Sequence, residues 1–201
     1  MSETITRIGP EDHGRLMRLD EFAEAEGQDE RIYELGRGRV TVVEIPKKRH
    51  MLLVASVRDQ LQVYKSANPG RIEVIASGNE CKVIIPALSS ERHPDLGVYL
   101  TPAPENEDDE FWVRWVPELV VEVVSPSSRE RDYDQKPEEY LRAGVREYWI
   151  VDADIRALVV LRRSRSRWIE SKITSPAIDR PRLLPGLAFS IASVFQSAGL
   201  D

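Results

Sequence analysis

The clearest strand in the chain is residues 119–124, inside PELVVEVVSP, where one glutamate, Glu122, interrupts a run of valine and leucine. A strand of this kind has both faces covered, as in the middle of a mixed sheet. Helical spacing marks residues 47–65, where Leu53, Val57, Leu61 and Tyr64 fall on one face with charged residues opposite. Pro46 ends the strand before it, and Asn68-Pro69-Gly70 stops the helix. A shorter amphipathic helix is predicted over 17–26, with Leu19 and Phe22 on one side and Gly27 at its end. Strands are predicted at 32–35 and 39–45, joined by a short GRG link that suits a hairpin. Three more follow at 72–76, 80–85 and 95–100, with loops at 87–92 and 101–110. A helix over 134–143 ends at Gly144, then come strands at 147–152, 157–162 and 168–173. LPGLAFSIASVFQ supplies a last turn and short helix. This order predicts an α+β or α/β fold with one central mixed sheet flanked by helices. No repeat of 20–50 residues is present, which excludes solenoids and propellers.

Composition narrows the class. A chain of 201 residues with 41% hydrophobic content suits a single domain, 1–201, with 1–16 expected as a flexible N-terminal segment. One cysteine, Cys81, excludes an internal disulfide and any cysteine-based zinc site, as in a protein of a reducing compartment. The start, MSETITRIGPEDH, has no secretory pattern, and no apolar run approaches the ~18 residues of a membrane helix. A cytoplasmic protein without membrane contact is expected. The net charge of -6 weighs against a protein that coats nucleic acid nonspecifically.

Glu122 is the residue that needs explaining, because a carboxylate within a buried strand costs several kcal/mol, about the penalty for any unpaired ion. An exposed face or an arginine partner would explain it; so would a metal. Asp95 opens the strand DLGVYL just after Pro94. If the two strands are neighbours, both carboxylates can point at one spot on a sheet face, and Mg²⁺ takes such oxygens as ligands. Capping a turn is the commoner use of an aspartate there. Lys136, in the first turn of the helix beyond Glu122, could set its ammonium near a phosphate oxygen or simply solvate the surface. Asp132 and Gln135 have the spacing of a capping box.

HPDLGVYL, PELVVEVVSPSSRERDYDQK, YLRAGVREYWIVD and LLPGLAFSIASVF together resemble the Uma-type family of restriction endonucleases, within the PD-(D/E)XK nuclease superfamily. The resemblance runs from about Met17 to the C-terminus and is most specific over 117–152. It implies a restriction-endonuclease-like core and Mg²⁺- or Mn²⁺-dependent hydrolysis of a phosphodiester, with DNA as the expected substrate. Pro94-Asp95 resembles the PD pair and makes Asp95 a metal ligand; Glu122 matches the second ligand, and the Val123 carbonyl a third. The superfamily lysine would fall at Val124. In this family it has moved to the next helix, where Lys136 matches it. Glu34, in YELGRGRV, resembles the glutamate of the first hairpin, and His50 a histidine at the start of the long helix. Two departures stand beside these residues: Gly36-Arg37-Gly38-Arg39 replaces an Asp-Gly-Glu-like turn, and Pro137 replaces a leucine. A homodimer is expected, since duplex cleavage needs two sites. The alternative is an inactive binding or assembly module on the same fold.

Other features permit two uses each. Arg156, Arg162, Arg163, Arg165 and Arg167 gather around a strand pair ending at Trp168, suiting either a phosphate backbone or a solvated hairpin. Lys47, Lys48 and Arg49 precede His50 and could reach the same substrate. Trp112 and Trp115 are expected in the core or at a dimer contact, and the acidic loop 105–110 in solvent.

Overall fold

The computed structural model describes residues 6–106, 108 and 110–200. In chain order, β1 (Arg7–Ile8) precedes the short helix α1 (Leu19–Ala23), and β2 (Glu26–Gly27) pairs in parallel with β1. Within the expected N-terminal segment, Arg7–Ile8 thus forms a strand, and Ile8 is buried against Met17, Phe22 and Tyr33; residues 1–5 lie outside the described residues. β3 (Tyr33–Gly36) and β4 (Arg39–Val42) form the predicted hairpin. Its two loop residues, Arg37 and Gly38, both take positive φ, 51° and 75°. That geometry matches the right-handed twist of the strands and favours glycine at the second position.

The long helix α2 (Lys48–Ala67) buries Leu53, Val57, Leu61 and Tyr64, the face its periodicity predicts. β5 (Val74–Ala76), β6 (Val83–Ile85), β7 (Ser90–Arg92) and β8 (Leu96–Tyr99) follow. β7 occupies part of the segment expected as a loop. Three residues are too few to display an alternation, yet β7 is wholly buried and pairs with both β3 and β6. After α3 (Phe111–Arg114) come β9 (Leu119–Val123), the helix α4 (Lys136–Ala143) and β10 (Glu147–Asp152). The hairpin β11 (Ala157–Ser164) and β12 (Arg167–Thr174), the small pair β13 (Ile178–Asp179) and β14 (Phe189–Ser190), and α5 (Ile191–Ser197) complete the chain.

The main sheet has the order β12-β11-β10-β9-β8-β5, antiparallel except for the parallel pair β9 and β10. The early hairpin does not join it. With β7 and β6 it makes a second, four-stranded sheet in the order β4-β3-β7-β6, beside the central mixed sheet that the order of elements predicts. β9 sits inside the main sheet with apolar layers on both faces. Val121 and Val123 pack toward α2 and α5, with Trp149 and Val151 of β10. Val120 points the other way, toward Tyr140 of α4 and Val83 and Ile85 of β6. Strand alternation sends Glu122 to that second face. In β8, Gly97 has no room for a side chain, since a Cβ would lie 2.3 Å from Cys81 Sγ.

Candidate active site

Antiparallel pairing sets Leu96 opposite Val121, so the next step along the ladder sets Asp95 opposite Glu122. β8 begins where β9 ends, and both acids stand at that end of the sheet. The Asp95 carboxylate accepts the Val123 N–H at 2.7 Å. His50, from the first turn of α2, brings its Nε2 to 3.2 Å from Asp95 Oδ2 and 3.1 Å from the Val123 carbonyl. Burial acts to lower the His50 pKa, but the Asp95 carboxylate outweighs it and raises the ring above its ordinary value.

Glu122 is 4% exposed and is held by α4. Lys136 Nζ lies 2.8 Å from its Oε1, and the Tyr140 hydroxyl donates to the same oxygen at 2.5 Å. The ammonium also stands 3.0 Å from Asp132 Oδ1, an ion pair without hydrogen-bond alignment. Asp132 Oδ2 accepts the Ser128 hydroxyl at 2.6 Å, and its backbone carbonyl accepts the Tyr148 hydroxyl at 2.9 Å. Asp132 therefore faces inward instead of capping the helix. It belongs to a single π-helical turn, Arg131–Gln135, that leads directly into α4. Such turns recur at functional sites because they redirect side chains within a helix.

Glu34, on β3, is equally engaged. Its Oε2 accepts Arg92 Nη1 at 3.0 Å, and its Oε1 accepts the His93 N–H at 3.0 Å. Arg92, fully buried on β7, turns its other nitrogens to Glu139 of α4 at 2.7 and 3.0 Å. Burial favours the neutral acid at Glu34, yet Lys136 and Arg92 together hold its pKa down at about 2. At Glu122 burial dominates. With Asp132, Asp95 and Glu34 adding to it, its pKa rises to about 8 against the pull of Lys136. For Lys136, burial acts against the charge, but Asp132 and Glu122 raise its pKa well above the ordinary range. The two carboxylates thus favour the ammonium form of the lysine.

The structure brings Lys136 onto Glu122, and His50 onto Asp95 and Val123. Glu34 lies close enough for its charge to act on both Glu122 and Lys136. The sequence suggests only a capping role for Asp132 and none for Tyr140, Arg92 and Glu139. A signal for the first two was present, since Ser128, Asp132, Lys136 and Tyr140 recur every four residues and share one helical face. Arg92 had no comparable signal.

Glu34, Glu122, Asp132 and Glu139 contact two cations, Lys136 and Arg92, and Asp95 adds a further carboxylate beside Glu122, so acidic groups outnumber cations here even with Glu122 protonated. That excess of negative charge, with oxygen donors on Asp95, Glu122 and the Val123 carbonyl, fits a hard divalent cation. Among the described residues no three His, Cys, Asp or Glu side chains already converge on one point.

The basic residues divide between the two ends of the sheet. Lys47, Lys48 and Arg49 are exposed beside His50. The tip of the β11–β12 hairpin, with Arg163, Arg165 and Arg167, lies at the opposite end, because Glu147 of β10 pairs with both Leu119 and Arg162. Arg162 is held by Asp179 through two bonds of 2.7 and 2.9 Å. The hairpin tip is thus remote from the carboxylates. Trp115 stacks on Tyr99 at 4.0 Å and Phe111 packs edge-on against Trp112, but both tryptophans are only half-buried, at the margin of the core. Asp108 and Glu110 of the acidic loop pair with Arg114; positions 107 and 109 lie outside the described residues. Among the described residues no helix is long and apolar enough to cross a membrane.

A family model described as "Uma2: Putative restriction endonuclease" matches residues 19–192. Among solved structures, the chain is similar to one described as a "putative nuclease belonging to DUF820" from Anabaena variabilis. The two are 19% identical, with a TM-score of 0.72 over 90% of this chain and 99% of that one. No curated protein matches.

Proposed function

Because the chain belongs to the Uma2 restriction-endonuclease family, we propose that it is a divalent-metal-dependent endonuclease that hydrolyses phosphodiester bonds, with DNA as substrate. One observation carries the reading: the buried Glu122–Lys136 pair stands at the end of β9, next to Asp95, inside a surplus of carboxylates. Burying an acid and its partner together costs several kcal/mol, about what burying an ion requires, and use of that acid in a metal site accounts for the cost.

Asp95, Glu122 and the Val123 carbonyl would hold the cation. When bound, the cation would polarise the scissile phosphate and acidify the attacking water. Lys136, as an ammonium, would offset the negative charge that develops on the phosphoryl oxygens. Asp132 and Tyr140 fix where that ammonium and Glu122 stand. Glu34 positions Arg92 and the His93 backbone, and so the segment leading into Asp95. His50 bridges two of the proposed ligands and orients them. Lys47, Lys48 and Arg49 flank this end and would meet the phosphate backbone.

The test uses purified protein with supercoiled and linear duplexes and with RNA, in Mg²⁺, Mn²⁺ or chelator. Cleavage should require the metal, and Asp95→Ala and Lys136→Ala should each reduce it by about 100-fold or more while circular dichroism stays native. Mn²⁺ or Mg²⁺ should also raise the melting temperature of the wild type but not of Glu122→Gln. Full cleavage by Asp95→Ala sinks the assignment. Absence of any metal effect on melting would instead favour the inactive module.

A further inference from the structure

β12 is the last strand of the main sheet, and its outer edge meets no strand among the described residues. Arg167, Ile169, Glu170, Lys172 and Thr174 are exposed along it, and Ile169 is 45% exposed. An open edge eight residues long is a template for another strand. Pairing with β11 fixes which side chains share a face. Ile169, Ser171 and Ile173 stand with Arg162, Val160 and Leu158; Trp168, Glu170, Lys172 and Thr174 stand with Arg163, Leu161, Val159 and Ala157.

Two copies of this edge can pair antiparallel about a twofold axis normal to the sheet. Opposed residues must then lie on the same face, so only positions an even number apart can meet. Centring the axis on Ser171 sets Glu170 against Lys172, Ile169 against Ile173 and Trp168 against Thr174, each pair occurring twice. Centring on Glu170 or on Lys172 opposes like charges, which destabilises a ladder. Centring on Ile169 leaves Glu170 against Trp168 and both charges unmatched. The sequence of the edge is thus self-complementary in one register.

We propose that the chain forms a homodimer through antiparallel pairing of β12 with β12 of a second copy, centred on Ser171, joining the two main sheets into one of twelve strands. The partner strands run in opposite directions, so the Val123 ends of the two β9 strands face opposite ends of the joined sheet. The two candidate sites then work independently. This inference does not rest on the proposed nuclease activity.

Light scattering and sedimentation equilibrium over a wide concentration series test it. Wild type should show twice the 22.9 kDa of the chain. Glu170→Lys alone and Lys172→Glu alone each convert two attractive pairs into repulsive ones, which should weaken the dimer by about tenfold. The double variant should restore it, because the swapped charges again match. Both residues are exposed, and native melting in each variant separates lost pairing from lost folding. A monomer at every concentration, a dimer indifferent to the single swaps, or a double variant that fails to recover each overturns the proposal.

Discussion

Arg92 shows how a single residue can join two parts of a fold. Its guanidinium, with no exposed surface, satisfies Glu34 of the small sheet and Glu139 of α4 at once. Replacing it with methionine keeps much of the volume and leaves two acids buried without a partner. Urea unfolding should then show a loss of about 3–5 kcal/mol. A loss below about 1 kcal/mol would mean that the acids find other donors. Glu34 carries the pH dependence of the same contact. Its folded pKa, about 2, lies below its ordinary 4.5. Its contribution is therefore complete above about 4.5 and is lost as pH falls through about 2. Melting temperature followed from about pH 5 downward should drop less steeply in Glu34→Gln than in wild type. Equal slopes would remove Glu34 as the source.

At the scale of elements, the π-helical turn before α4 decides where the lysine goes. The turn brings Asp132 inward to hold the Lys136 ammonium from one side while Glu122 holds it from the other. Pro137 fits because it falls in the first turn of α4, where no intrahelical donor is required. If the lysine acts on the reacting phosphate, Asp132→Asn should lower kcat by about tenfold or more and leave KM nearly unchanged, because the ammonium is misplaced but not removed. Unchanged kcat would mean that Glu122 and Tyr140 suffice to position Lys136. The lysine and both strand carboxylates were legible because each sits in a local pattern: a proline before an aspartate, an acid in an apolar run, a cation in a first helical turn. Arg92 was not legible. A strand of three residues carries too little alternation to be seen, and its partners are 47 and 58 residues away in sequence.

For the whole molecule, a net charge of -6 conceals an uneven distribution. The carboxylates concentrate at the end of β9, and the exposed arginines of the β11–β12 tip at the other end of the sheet. Phosphate would therefore be drawn to the site by a bound cation and by Lys47, Lys48 and Arg49 more than by the total charge. The sequence by itself determined the buried central strand, the long helix and its inner face, the early hairpin, and Asp95, Glu122 and Lys136 as candidates. Those features are written in periodicity and local spacing, which act over a few residues. Only the tertiary structure decided that the early hairpin belongs to a second sheet, that Glu34 is clamped by Arg92, and that Asp132 holds the lysine. It alone also decided that the arginine tip lies away from the site. Such outcomes depend on which distant segments pack together, and burial makes each charge inside seek a partner wherever the fold brings one near.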